Sequence, residues 1–474
     1  MNESKIIKLV SYFTAIVLIG VIVWWHLYSP GQDFEILAPG ADNRPAELAR
    51  KADDVKIGEF FMRYNEDDNS TLAGQWNGFR GEGSANIVKT DDILNLNAPE
   101  FQVLWSVETG EGHASPVIRN GKVYFLDYDE NLSSDALRCF SLEKGIELWR
   151  RWYRVPMKRN HGFSRTIPAI GNDFVITIGP NGHVMCCDPN TGDLKWSLDM
   201  QKEFKSEIPF WYTGQCPLVD GETLVLAPAG NEVLLTGLNC STGQVEWTTP
   251  NTLNYKMSHS SVMKMALNGK PTYVYAGIGG ICGVSAEKED IGKPLWNTNK
   301  WQPSVIAPSP LQVTRNRIFM VAGYGAGGAM VQINGTAENW VATVLEEYKP
   351  SDGVASEQQT PIIYNNMIIS VMPKDGGGLR NKLVCYSPDD LHTPLWSSAA
   401  DDRFGLGPYL IINNHLFALK EDGELYMYEV GKQSLKFLRK QRIMDGVDAW
   451  GPMAYANGML LLRDAHTVKC IKVS

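Results

Sequence analysis

Ser115-Pro116-Val117-Ile118-Arg119-Asn120-Gly121-Lys122-Val123-Tyr124-Phe125 is the stretch on which the fold turns, because it returns along the whole chain. It reads as an apolar strand, an Asn-Gly turn and a second apolar strand, a hairpin whose two-residue turn needs positive φ. Ile167-Pro168-Ala169-Ile170-Gly171-Asn172-Asp173-Phe174-Val175-Ile176 and Cys216-Pro217-Leu218-Val219-Asp220-Gly221-Glu222-Thr223-Leu224-Val225 repeat it. Further copies begin near Ser261, Pro310, Pro361, Pro408 and Pro452. After each hairpin comes a turn that closes on tryptophan, at Trp149, Trp196 and Trp247, with looser versions ending at Trp296, Trp340 and Trp396. Phe437 stands where one more tryptophan is expected. A repeat of about 45–50 residues built this way predicts an all-β, eight-bladed β-propeller.

The last copy is incomplete. After Pro452 come only Met453 to Leu462 and Thr467 to Val473, with no outer strand ending in tryptophan. Phe101-Gln102-Val103-Leu104-Trp105-Ser106 carries an outer-strand sequence with no hairpin before it. An open ring would leave unpaired strand edges, so the two ends are expected to share one blade.

The 474-residue chain has a net charge of −9 and no basic stripe, a field that disfavours nucleic acid. Lys5 and Lys8 precede an apolar run, residues 9–27, broken only by Ser11, Tyr12, Thr14 and His26. That run can span a hydrocarbon core as a helix. A cleaved signal peptide is the alternative, but Trp24-Trp25-His26-Leu27-Tyr28-Ser29-Pro30 lacks a small-x-small cleavage pattern. No cysteine precedes Cys139, which argues against a lipid anchor. The two lysines favour a cytoplasmic N-terminus and a propeller in the periplasm or an equivalent extracytoplasmic space. The expected organisation is an anchor over 1–30, a tether over 31–75 and the propeller over 76–474. Within the tether, Pro45 to Lys51 is expected as a short helix, Glu66 to Asn69 is an acidic run, and the apolar stretch Val55 to Tyr64 is suited to docking on the ring.

Eight cysteines in such a chain raise the question of disulfides. Repeat register places Cys139, Cys186, Cys282, Cys385 and Cys470 at one third-strand position, with Met427 in another copy. Equivalent positions of different blades are arranged around a ring and not beside each other, so these are expected to be buried packing residues.

The Asp-x-x-Thr-Gly-x-x-x-Trp turn at Asp188–Trp196, with the Ser-Pro-Val-Ile-x-Asn-Gly-Lys-Val-Tyr strand, resembles the pyrroloquinoline quinone (PQQ)-like repeat. That repeat belongs to quinoprotein alcohol dehydrogenases and to the barrel-assembly propeller lipoprotein. Trp76-Asn77-Gly78-Phe79-Arg80-Gly81 is similar to a phrase that opens many bacterial propellers of this type. The resemblance covers the chain from Trp76 onward and implies repeat tryptophans that pack between blades. In the dehydrogenases a vicinal disulfide lies against the quinone, and Cys186-Cys187 is the tempting counterpart. Here the pair falls inside a strand, where neighbouring side chains point to opposite faces and a bond between them needs a strained turn. No counterpart of the calcium-binding carboxylate or the catalytic aspartate stands out, so no cofactor is expected, neither PQQ nor its calcium.

No His-Glu-x-x-His, Cys-x-x-Cys, Gly-x-Ser-x-Gly or phosphate loop is present. Gly323-Tyr324-Gly325-Ala326-Gly327-Gly328 and Asp375-Gly376-Gly377-Gly378 read as flexible connections. What remains is the set of segments that lead into each blade's first strand, which in a propeller line one mouth of the central channel. They bring His113, His161, Arg165, Gln215, His259, Gln358, Arg403 and Trp450 to one place, a mixture suited to a ligand or partner. The alternative is that these groups serve only one another and channel water. A metal held by His113, His161 and His259 lacks the carboxylate support such a site needs. The sequence therefore points to an extracytoplasmic binding or scaffolding module for a protein or peptide partner in the cell envelope. The rival is a PQQ-dependent oxidoreductase.

Overall fold

The computed structural model describes residues 3–28, 55–66, 70–96, 98–335 and 339–474. The stretch Pro45–Lys51, expected as a short helix, and Asp67 to Asn69 of the acidic run lie outside these. Two compact units are present, Met1–Val55 and Lys56–Ser474. The first carries a helix over Glu3–Leu27. Its stretch Ser4–Leu27, 24 residues, is long and apolar enough for a membrane span or a signal sequence.

The second unit is the eight-bladed β-propeller, eight sheets among the described residues, each built on a four-stranded antiparallel meander. Blade 1 is built from Val117–Arg119, Lys122–Asp129, Ser134–Ser141 and Glu147–Arg154, and each later blade repeats that meander. The first strands of blades 7 and 8, 8 and 1, and 1 and 2 touch one another about the axis. Blade 8 joins both ends of the chain: Gly451–Ala456, Met459–Arg463 and Thr467–Lys472 pair with Gln102–Glu108, setting Cys470 opposite Trp105. The expected closure therefore holds. Phe60–Arg63 pairs with the outer strand of blade 1, Phe60 opposite Trp152, so the Val55–Tyr64 stretch docks as an added strand. The ring's compact unit accordingly starts at Lys56, upstream of the Trp76 boundary expected from the repeats.

Six tryptophans share one register. Trp105, Trp149, Trp196, Trp247, Trp296 and Trp396 each face a third-strand residue just before a bulge, namely Cys470, Cys139, Cys186, Gly237, Gly283 and Cys385. Each bulge turns the outer strand so that the indole reaches the next blade. Trp105 Nε1 donates to Leu142 O at 2.7 Å and Trp196 Nε1 to Cys240 O at 2.8 Å. The receiving turn needs glycine: Gly243 has φ +71°, and a Cβ there would sit 2.5 Å from the Trp196 ring.

Three assignments from the repeat pattern are corrected. Trp340 precedes the outer strand Val341–Tyr348 of blade 5, and Glu346 takes the tryptophan register opposite Met330. In blade 7 that register belongs to Arg439, opposite Met427, while Phe437 faces Tyr428. Arg439 replaces the indole by stacking its guanidinium 3.7 Å from the Phe101 ring and donating to Ala98 O at 2.6 Å. Cys282 faces Asn297, one residue out of register, because glycine at 283 leaves room for Trp296 on its own sheet. All eight cysteines are nonetheless buried.

A belt of hydrogen bonds runs partway around the axis, from blade 2 to blade 6, through the residues that open those hairpin copies. The Ile167 N–H donates to Cys216 Sγ at 3.3 Å, Cys216 N–H to Ser261 Oγ at 2.9 Å, Ser261 N–H to Ser309 Oγ at 3.0 Å and Ser309 N–H to Thr360 Oγ1 at 2.8 Å. Blades 7 and 8 have Gly407 and Gly451 there. Gln359 spans that interval, donating from Nε2 to Leu406 O at 3.1 Å and Trp450 O at 2.9 Å.

Candidate functional site

The channel is crossed by the chain's own Gln75–Val88. Trp76 pairs with Ile118 of blade 1, and Ile87–Val88 runs parallel to Ile411 and Ile412 of blade 7. Between them the segment turns over at Gly81, whose φ of +69° and contact with the Trp76 ring exclude a side chain. Arg80 is buried at this crossing and donates to the carbonyls of Thr360, Pro361, Ser84 and Ala85. Four carbonyl dipoles replace the water lost by the guanidinium, and burial still pulls its pKa down to about 10.

Above this floor lies a cavity of about 380 Å³. The lead-in segments of the blades form its wall, since every first strand starts at the same end of the ring. His113, His161, Arg165, His259, Gln358 and Trp450 line it together. Two expected residues do not. Gln215 is buried and doubly bonded to the Ala227 backbone, its Nε2 donating at 2.8 Å and its Oε1 accepting at 3.0 Å. Arg403 donates to Arg380 O outside the lining.

Two aromatic pairs shape the wall. The His113 imidazole stacks on Trp450 with centroids 3.3 Å apart, and Trp211 stacks on Tyr324 at 5.6 Å. Tyr324 comes from the glycine-rich connection read as a mere linker, where the alternation of glycines hid the one residue that matters. Its contact with Trp211 joins blade 5 to the lead-in of blade 3, a relation no local pattern encodes. Phe79 and Arg80 were also missed, because a segment ahead of the repeats gives no sign that it returns through the axis. His161, Tyr212, Tyr324 and Asp448 all hold positive φ around this mouth, backbone strain that only surrounding contacts sustain.

The electrostatics are lopsided. Burial, reinforced by Arg463 and Arg165, lowers the His113 pKa to about 2. Burial and then Arg165 lower that of His259 to about 4. Both rings are therefore neutral at pH 7, and Nδ1 of each lacks a partner in the protein. Arg159 binds Glu111 at 2.5 Å, and Lys374 lies 3.6 Å from Glu357. Arg165 has no such carboxylate: its Nη2 reaches the carbonyls of Asn160, His161 and Gly162 at 3.1 to 3.3 Å, while its enclosed Nε has no partner.

A calcium-held quinone does not fit these residues. Among the described residues no three His, Cys, Asp or Glu side chains come together as metal ligands. Two cavity carboxylates are taken by cations, and Asp448 lies exposed at the rim. Cys186 and Cys187 are buried free thiols in the third strand of blade 2, outside the cavity lining.

Among known proteins, the family model described as outer membrane protein assembly factor BamB matches residues 133–376. No curated protein sequence matches the chain. The crystal structure of BamB from Moraxella catarrhalis aligns with 79% of this chain and 100% of its own, at TM-score 0.51 and 11% identity. A quinohemoprotein alcohol dehydrogenase from Comamonas testosteroni aligns over 86% and 81%, at 0.60 and 12%. A europium-containing methanol dehydrogenase aligns over 83% and 90%, at 0.56 and 12%. At these identities the likeness is one of fold.

Proposed function

The chain belongs to the family described as outer membrane protein assembly factor BamB, and from that premise we propose that it is a membrane-tethered, extracytoplasmic propeller whose cavity mouth docks a protein or peptide partner in the cell envelope. The observation that carries this reading is the cavity itself. It has one floor of the chain's own making, aromatic pairs at its wall and a half-buried cation, Arg165, left without a counter-ion. A concave site with apolar walls and few convergent polar groups is what a ligand segment needs. The Ser4–Leu27 helix supplies the anchor, with Lys5 and Lys8 on the cytoplasmic side.

Capture from solubilised membranes tests the docking. Trp450→Ala and His161→Ala are expected to lose an envelope partner, identified by mass spectrometry, that the wild-type protein retains. A partner held equally by all three proteins moves docking away from the mouth. The ring is taken to work without a quinone. Alcohol oxidation with an absorbance above the protein band, after PQQ and calcium are added, overturns that part.

A further inference from the structure

We propose that the cavity takes an apolar monocarboxylate, its charge held by Arg165 and its body seated among Trp211, Tyr324 and Trp450. This rests on the docking reading and names the chemistry that the mouth recognises. The argument begins with charge. The lining carries four cations, Arg80, Arg159, Arg165 and Lys374, against three carboxylates, Glu111, Glu357 and Asp448. Arg80 is saturated by four carbonyls, and Arg159 and Lys374 each sit beside a carboxylate. Arg165 alone is left, and the ionisable neighbours that act on it in its favour are the phenols Tyr212 and Tyr324.

An enclosed guanidinium without a counter-ion is costly, and a carboxylate answers it with charge-assisted hydrogen bonds. One uncommitted charge matches one negative charge; a phosphate dianion would leave its second charge unanswered beside neutral His113 and His259. The walls select the rest of the ligand. Trp211 and Tyr324 present a nearly parallel aromatic pair, Trp450 a third ring, and the volume of about 380 Å³ is that of a small-ligand site.

Calorimetric titration of the full-length protein in detergent tests this with matched probes: 4-phenylbutyrate against 4-phenylbutyramide, and Ala-Ala-Phe with a free against an amidated C-terminus. The acids are expected to bind at least about tenfold more tightly than the amides, the scale of a hydrogen bond to a charged group. Arg165→Gln should erase that preference, while Arg403→Gln, outside the lining, should keep it. Thermal unfolding of both variants checks the fold. Should Arg165→Gln fail to fold, Tyr324→Ala, at the exposed rim, should weaken the acids and amides together.

A stronger free-ended peptide marks a chain terminus as the natural ligand, and a stronger phenylbutyrate marks a small molecule. Equal binding of acids and amides, or no binding of either, overturns the proposal. If Trp450→Ala still loses the envelope partner in that case, the docking reading stands and only the carboxylate assignment falls.

Discussion

The Arg463 guanidinium lies 3.5 Å from the Asp127 carboxylate, joining the blade that ends the chain to the blade that begins the ring. Its Nη1 also donates to Ala114 O and Leu126 O, both at 2.8 Å. Asp127 in turn accepts from Arg138 at 2.7 Å, and Arg138 reaches Glu147 at 2.7 Å. Closure thus has two components, the strand pairing of blade 8 and a buried charge network behind it. Arg463→Leu is expected to cost about 3 kcal/mol in urea unfolding, because the buried Asp127 carboxylate keeps only Arg138 of its two guanidinium partners and two carbonyls lose a donor.

Docking of each indole on the next blade predicts a graded series. Trp196→Phe removes the bond to Cys240 O and should cost about 1 kcal/mol, whereas Trp196→Ala empties the interblade contact and should cost about 3–5 kcal/mol. Gly243→Ala should approach the larger loss, since its Cβ would enter the Trp196 ring. Gly221→Ala has equally positive φ but open space, so only the backbone penalty of about 1 kcal/mol applies. Chemical denaturation of the four variants reads the order.

The axial belt predicts that Ser309→Ala, which strands the buried Ser261 N–H, destabilises the ring by about 1–3 kcal/mol. Cys216→Ser keeps an acceptor for Ile167 and should be tolerated, while Cys216→Val should not. Thermal unfolding of these variants against wild type is the measurement.

Asp135 is buried, and burial raises its carboxyl pKa to about 7 although Ser164 and Tyr153 donate to it at 2.8 and 3.1 Å. In the unfolded chain it returns to about 3.9. The folded state therefore binds more protons between those values, and the stability from neutral Asp135 is full below the unfolded pKa and lost as pH rises through 7. The advantage of wild type over Asp135→Asn should shrink steadily from pH 5 to pH 8 in melting experiments.

Burial pushes the thiols of Cys187, Cys240, Cys282, Cys385 and Cys470 up to about 12 and that of Cys216 to about 11. A thiol reagent at pH 8 is expected to leave the native protein unlabelled and to modify eight cysteines after denaturation.

Blade number, hairpin register and terminal closure were legible because each is a local pattern repeated at a fixed spacing: a Pro-opened strand, a turn, and a tryptophan two strands later. The same regularity misled where a blade substitutes a different solution. Glu346 and Arg439 occupy tryptophan positions that Trp340 and Phe437 seemed to fill by spacing, since a bulge shifts the outer strand and spacing alone does not reveal it.

The sequence by itself determined the ring, because the pattern of apolar strands and turns leaves few other ways to bury these residues. Only the tertiary structure decided what the mouth contains. Gln215 and Arg403 lie on the expected segments yet turn to the backbone of Ala227 and Arg380, while Phe79 and Arg80 arrive from outside the repeats and Tyr324 from a connection. Side chains meeting at an axis come from blades far apart in the chain, so their directions follow from how eight separate lead-ins pack against one crossing segment, a relation with no local signature.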